Sequence, residues 1–359
     1  MTPPVVVQPA GVHLAAEIEG HHWSQSEFAE ILGRPVQFVS EIIAGKKEIT
    51  RESAAQIAAA LDTSAELWLD LQNRYWLWRQ EQDAGRNEQL DAVRRRARLN
   101  KIAPISLLRK RGAIKGETLD EVEREVMELF ELPSLDDEAS FATAARRTNT
   151  TEPLTQTQLA WLAWARRRAR SLSAAPFDPQ SLETLAASLT RRIASSGDFA
   201  AVQGLLADVG VRLVFVEAFP SSKINGASFV LDEEEAQPVI ALSGRGRRLD
   251  IVLFTLLHEI AHIVNGDIRI DATLVDEGAD HTLGDEDKAN SLAQQWATPG
   301  GLSQPPLPLR QAWVEIEADR LGVHPLVVIG QLQKSGYLDW RTQLVKGAPT
   351  VSKELASWR

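Results

Sequence analysis

The chain has no cysteine in its 359 residues. That excludes disulfides, thiolate metal sites and cysteine nucleophiles together, so any metal has to be held by histidine and carboxylate. No apolar run reaches the length needed to cross a bilayer. The opening MTPPVVVQPA has neither the basic lead nor the full hydrophobic segment of a signal peptide, so no membrane partner and a cytoplasmic location are expected. No fixed-period repeat is visible, and no segment is low enough in complexity to be read as disordered. The net charge of −10 speaks against indiscriminate binding to polyanions. Its distribution is uneven, however. Residues 1–115 hold 16 basic and 14 acidic side chains, and the stretch 81–115 alone carries +6. A polyanion partner is expected at the front of the molecule.

The most informative stretch runs from Asp250 to Asp267, DIVLFTLLHEIAHIVNGD. Its apolar periodicity predicts a buried helix that ends at Gly266, a residue free to take the left-handed conformation. Four residues make slightly more than one helical turn, so His258 and His262 share a face and can present imidazole nitrogens to one ion. Glu259 lies beside them, where it can take a proton from water and return it to a leaving amine. This is the H-E-x-x-H zincin signature. Seven histidines in one chain can fall four apart by composition alone, but two imidazoles and a carboxylate on so apolar a helix are costly to bury unless something satisfies them.

A catalytic ion ordinarily takes three protein ligands. The extended metzincin pattern fails at Asn265 and Ile268, and Asp267 is one residue away from an aspartate-ligand variant. Downstream, Glu286, Ala289 and Asn290 form E-x-x-A-N at the start of a helix. Glu286 can be the carboxylate ligand, and Asn290, one turn later, can hydrogen-bond the outer nitrogen of a ligand histidine. The competing groups are Asp276, Glu277, Asp280, Asp285, Asp287 and His281. Zinc is the expected ion, with manganese or iron as alternatives. For the residue that steadies a developing oxyanion the candidates are Tyr337, His281 and Arg245.

At the front, Ser24-Gln25-Ser26-Glu27 is a capping box opening a helix through Leu32, and Gly33 permits a tight turn. Pro35 suits the first position of a second helix, Val36 to Ala44, which exposes Gln37, Ser40 and Glu41 between buried Val36, Val39, Ile42 and Ile43. The pattern is that of a helix-turn-helix, with an ordinary helical bundle as the alternative. Arg34, Lys46 and Lys47 are placed to face phosphates, and Gln25, Gln37 and Ser40 to make the polar contacts with DNA. Glu41 opposes DNA unless it accepts from cytosine. Thr50 caps a further helix, and Ser64 or Ala65 begins another that runs to about Gln80.

From Glu81 to about Ser196 the sequence reads as short charged helices. The runs Arg94-Arg95-Arg96-Ala97-Arg98 and Arg166-Arg167-Arg168-Ala169-Arg170 are either ion-pairing faces or DNA contacts. Val211–Val216, Ala227–Leu231 and Pro238–Leu242 are strand-like and separated by turn signals, notably Asn225-Gly226. They predict a small sheet packed on the helix that bears the histidines, with an edge able to bind an extended peptide.

Two stretches carry family resemblances. AEILGRPVQFVSEIIAGKKEITRESAAQIAAALDTSAELWLDLQNRY resembles the helix-turn-helix of HigA-type antitoxins in the XRE group, with the W-L-x-L-Q-x-x-Y element at Trp68, Leu69, Leu71, Gln72 and Tyr75 its most diagnostic part. The resemblance implies that Trp68, Tyr75, Trp76 and Trp78 are core or interface, that a DNA operator is bound, and that the chain is a homodimer. HEIAH, the E-x-x-A-N turn, the preceding LSGRGRRLD and Thr298-Pro299 are similar to the ImmA/IrrE metallopeptidases, and GVHPLVVIGQLQKSGYL resembles the tail of the subgroup that follows a HigA-type module. By matched position the likeness implies His258, His262 and Glu286 as zinc ligands and Glu259 as base. This chain departs at Asn290, where many relatives have Asp, and at Gln331, where the tail often has Arg.

The expected fold is mostly α: a helix-turn-helix domain at 10–80, a helical middle region at 81–200, a zincin-like α+β metallopeptidase domain at 201–300 and a helical tail at 301–359 packed on it. The expected function is a DNA-binding transcription regulator with a zinc endopeptidase that acts on a repressor-type protein. The alternative is a non-catalytic antitoxin-like regulator that uses the zincin fold as a sensor.

Overall fold

In the computed structural model, which describes residues 7–137, 139, 141, 145–147, 153–231, 237–268, 273–276 and 284–358, the chain divides into two compact units, Met1–Arg96 and Ala97–Arg359. The first contains α1 (Ala10–Gly20), α2 (Gln25–Leu32), α3 (Val36–Ile43), α4 (Arg51–Leu61) and α5 (Ala65–Glu81). Their starts follow the capping residues. The Ser24 amide donates to the Glu27 carboxylate at 2.7 Å while Ser24 Oγ accepts from the Glu27 amide at 3.2 Å, which satisfies two amides left open by the first turn of α2. Gly33 ends that helix in the left-handed conformation, φ 64°. Pro35 is the N-cap of α3 and not its first helical residue. Thr50 and Ser64 cap α4 and α5.

Leu14, Phe28, Val39, Ile42, Ile57 and Trp68 form the core of this unit. Trp68 is buried with its indole N–H donating to Thr63 Oγ1 at 2.8 Å, the partner a buried indole needs. Gln72 meets both backbone groups of Ile49, accepting from the amide at 2.5 Å and donating to the carbonyl at 3.0 Å. The W-L-x-L-Q element therefore packs the module. One expectation fails: Val36, the first residue of α3, is exposed.

The second unit is built on a five-stranded mixed sheet with strand order β1-β5-β3-β4-β2. The strands are β1 (Ala145–Arg147), β2 (Arg212–Phe215), β3 (Gly226–Val230), β4 (Pro238–Leu242) and β5 (Thr273–Asp276). β3 is antiparallel to both β4 and β5, whereas β2 runs parallel to β4 and β1 parallel to β5. The sequence predicts β2, β3 and β4. β1, ARR, and β5, TLVD, carry too little apolar sequence to stand out as strand-like runs.

Both faces of the sheet are covered. Leu213, Phe215, Ile240 and Leu242 join a core with the helices Pro179–Arg192, Leu249–Asn265, Gly284–Ala297, Gln311–Leu321 and Pro325–Lys334. Val214, Ala227, Phe229, Val239 and Ala241 join a second core with the helices Ile105–Lys110, Leu119–Phe130 and Gln156–Arg170. β4 reads PVIAL, unbroken apolar sequence, as a strand buried on both sides should. Of the residues expected as a separate middle region, Ile105–Lys110, Leu119–Phe130 and Gln156–Arg170 thus form the second helical layer of the sheet, while Pro179–Arg192 joins the first. The helix Ala84–Ile102 crosses the division between the units.

The arginine run at 166–170 belongs to this packing and not to a DNA surface. Arg166, buried, donates to Val230 O at 3.3 Å and Leu231 O at 3.0 Å. Arg167 donates to Ala113 O at 2.7 Å, Arg168 to Phe215 O at 2.9 Å, and Arg170 pairs with Glu131 at 3.0 Å. Guanidinium groups satisfy strand-end and loop carbonyls that the helical layer shields from water. Among the described residues, no helix is long and apolar enough to cross a membrane.

Candidate metal centre and nucleic-acid interface

The helix Leu249–Asn265 is buried along nearly its whole length and ends at Gly266, φ 74°. It packs under β3 and β4 and against the helix Gly284–Ala297, and this brings His258, His262 and Glu286 together with all three side chains buried and their ligand atoms within 4.8 Å of one another. His258 Nε2 lies 3.2 Å from one Glu286 oxygen, His262 Nε2 lies 3.1 Å from the other, and the two Nε2 atoms are 3.1 Å apart. Ligands at 2.0–2.1 Å in a tetrahedron have edges of about 3.3 Å, close to each of these separations, which the two histidines make to different oxygens of Glu286. The donors, two imidazoles and one carboxylate, suit zinc, manganese or iron. The residues fit the ion that the motif implies.

The electrostatics match this crowding. Burial opposes ionisation of Glu286, but its contacts with the two imidazoles hold the carboxyl down at about 2. Burial likewise lowers the affinity of His262 for a proton, yet Glu286, Glu259 and Asp267 together push it up to about 9. Glu259 is enclosed, and burial raises its carboxyl to about 7 against the pull of both histidines. That value suits a group that must both accept and release a proton near neutrality.

Two contacts hold Glu259. Ser228 on β3 donates to its Oε2. Its Oε1 has no partner among the described residues and points at Gly226, where a Cβ would stand only 2.6 Å away. Asn225-Gly226 reads in the sequence as a turn. Gly226 instead opens β3, and what matters is the side chain it lacks.

The outer nitrogens are held differently from the expectation. His262 Nδ1 contacts Asp267 Oδ2 at 2.9 Å. Gly266 donates to Ile263 O at 3.1 Å and Asp267 to His262 O at 3.0 Å, the paired bonds of a glycine-terminated helix that curls the next residue back over the last turn. The same glycine that marks the helix end thus delivers Asp267. Asn290 meets neither histidine: its Oδ1 accepts from Lys334 Nζ at 2.9 Å. His258 Nδ1 has no partner among the described residues. Replacing Asp267 by Ala is expected to weaken zinc binding by roughly 10–100-fold, as loss of an outer partner does, and Asn290→Ala to leave it nearly unchanged. Chelator competition on the two variants checks this.

Of the competing carboxylates, Asp276 faces the site at the end of β5, acting electrostatically on Glu259, and Asp287 is exposed. The side chains of Glu277, Asp280, His281 and Asp285 lie outside the described residues. Of the candidates for the oxyanion, Arg245 donates to Lys223 O at 2.7 Å. Tyr337 lies on a separate cavity of about 700 Å³ with Gln294, Gly301 and Ser335. The cation nearest the metal triangle in function is one sequence reading missed, Lys334, which feels both Asp276 and Glu286.

At the front, α2, the turn at Gly33 and α3 set out the predicted polar residues. Gln25 is exposed at the first turn of α2. Gln37, exposed, donates to Glu41 Oε1 at 2.8 Å, and Ser40 donates to Gln37 O at 3.0 Å. Lys46 is exposed, and Lys47 stands 3.9 Å from Glu41 and 4.9 Å from the Phe38 ring. Arg34 is tied to Gln56 at 3.1 Å and to Glu52, so it anchors α4 to the turn rather than standing free for phosphate. Glu41 holds both Gln37 and Lys47. Glu41→Gln removes that carboxylate and is expected to tighten non-specific duplex binding while steepening the logarithmic salt dependence by about 0.9 for each further phosphate neutralised. Fluorescence anisotropy between about 50 and 200 mM salt reads both.

The comparisons with known proteins bear on this front unit. The helix-turn-helix family model matches residues 14–68. A crystal structure from Nostoc punctiforme, of a candidate antidote protein of a plasmid maintenance system, is 31% identical, covering 25% of this chain and 96% of the other at a TM-score of 0.23. No curated protein matches. Residues 14–68 are a helix-turn-helix domain of the XRE type.

Proposed function

We propose that the chain is a DNA-binding transcription regulator whose second unit is a zinc-dependent endopeptidase of the ImmA/IrrE type acting on a repressor-like protein. The observation that carries the reading is the buried cluster of His258, His262 and Glu286, with donor atoms 3.1–3.2 Å apart, beside Glu259. His258 Nε2, His262 Nε2 and Glu286 would hold the ion, which when bound supplies Lewis acidity at the scissile carbonyl. Asp267 fixes the His262 ring so that Nε2 faces inward. Glu259, raised to about 7, accepts the proton of the attacking water and passes it to the leaving amine. Ser228 and the bare backbone at Gly226 set where that carboxylate stands.

Glu259→Gln keeps the shape of the side chain and removes the proton acceptor. Metal-loaded wild type incubated with a proteome-derived peptide library is expected to create new N-termini. The variant should lose cleavage by about 10²–10⁴-fold while keeping its zinc. Cleavage that persists in the variant rejects Glu259 as the base.

One observation favours the second reading, a non-catalytic antitoxin-like regulator: Glu259 is only 1% exposed. On that reading wild type makes no new N-termini, and operator binding is indifferent to Glu259.

A further inference from the structure

Lys334 ends the helix Pro325–Lys334, and its ammonium is fixed from two sides. Nζ lies 2.9 Å from Asn290 Oδ1 and 3.8 Å from the centroid of the Phe254 ring. Asn290 is one turn beyond Glu286 on its helix, and Phe254 is one turn before His258 on the other. The two residues that hold the ammonium therefore each stand one helical turn, about 5–6 Å along the helix axis, from a residue of the metal triangle. The acidic groups acting on it are Asp276 and Glu286. An ammonium has three donors, and Asn290 takes one. Crowding by protein lowers the group only to about 8, so it is mostly charged at neutral pH. The side chain stands exposed along its length, and the ammonium end is the part that protein crowds.

A lysine is normally left free on the surface. This one is clamped by an amide oxygen and an aromatic face beside a candidate metal centre, an arrangement that holds a cation for something negative to meet. Of its two acidic neighbours, Asp276 acts on it more strongly and accepts from Asn225 at 3.2 Å, while the charge of Glu286 is committed to the two imidazoles. Asn290 acquires a purpose that its place in E-x-x-A-N does not suggest, since it positions the lysine and not a ligand histidine.

We propose that Lys334 is the anion-binding residue of the peptide site and takes a carboxylate side chain of the substrate adjacent to the bond being cut. The inference rests on the metal-centre half of the reading above. It makes the preferred substrate acidic next to the scissile bond, and it makes Lys334 a specificity residue.

The test uses the full chain loaded with zinc and a pair of small probes: succinic acid monohydroxamate, and the same hydroxamate with its carboxylate capped as a methylamide. Calorimetry is expected to show the carboxylate probe binding wild type on the order of tenfold more tightly than the amide. Lys334→Met should erase that preference while leaving the amide's affinity unchanged. Lys334→Arg should restore it. Equal binding of the two probes by wild type, or a preference that survives in Lys334→Met, overturns the proposal, as does failure of wild type to take up zinc. Since no cleavage is read, the two claims separate. A carboxylate preference in a chain that cuts nothing keeps the anion site and removes the peptidase, and cleavage without a preference does the reverse.

Discussion

Glu286→Ala is expected to come from purification with little or no zinc, where wild type carries about one ion per chain. Apparent zinc free energies of about 10–16 kcal/mol over four ligands put about 3 kcal/mol on each, so losing one weakens binding on the order of 100-fold. His258→Ala and His262→Ala should behave alike, and elemental analysis of the four proteins side by side is decisive. Zinc that survives loss of Glu286 means that another carboxylate is the ligand. The same contacts predict a pH dependence. In the metal-free triad His262 holds its proton up to about 9, and an ion can bind only the deprotonated imidazole. Zinc affinity should therefore rise with pH up to about 9, and uptake at neutral pH should release a proton, seen as a binding enthalpy that changes with the ionisation heat of the buffer.

Gly226→Ala is the second large effect, from a residue with no functional group. The added methyl would stand 2.6 Å from Glu259 Oε1 and 3.0 Å from Thr255 Cγ2. The strand cannot retreat easily, because β3 is bonded to β4 on one side and β5 on the other. Glu259 must move or the unit must loosen, at a cost of about 1–3 kcal/mol for an overpacked core. On the peptidase reading, cleavage falls toward the level of Glu259→Gln while zinc is retained. Gly204→Ala serves as the control: nothing lies within 4 Å of its added Cβ, and a helix gains up to about 1 kcal/mol from the exchange. Retained cleavage in Gly226→Ala, with melting unchanged, removes the claim that this glycine makes room for the base.

How much of this is legible in the sequence follows from the range over which each signal acts. The four-residue spacing of His258 and His262, the end of their helix at Gly266 and the caps at Ser24 and Thr50 are local, and the structure repeats them. Glu286 lies with its carboxylate against both histidines. Asp267 is within reach of the same local reasoning, because a glycine in the left-handed conformation folds its successor back onto the last turn. The motif points Asn290 at a histidine because only its own helix is in view. Its real neighbour comes from a helix 44 residues later, and no periodicity reports that. Lys334 and Gly226 escape notice for the same reason. The middle helices read correctly as helices, but nothing in their charge pattern says that they roof a sheet. The clue lies in β4, whose unbroken apolar run needs cover on both sides.

That roof decides where the chain can be cut. A fragment trimmed to residues 201–300 would keep every residue of the H-E-x-x-H and E-x-x-A-N signatures, yet strip the helices that shelter Val214, Phe229 and Val239. Strands of this kind, laid bare, pair with one another between molecules. The smallest piece able to carry the metal triangle therefore begins near Ala97, and the arginines at 166–170 are the rivets that fasten its upper deck.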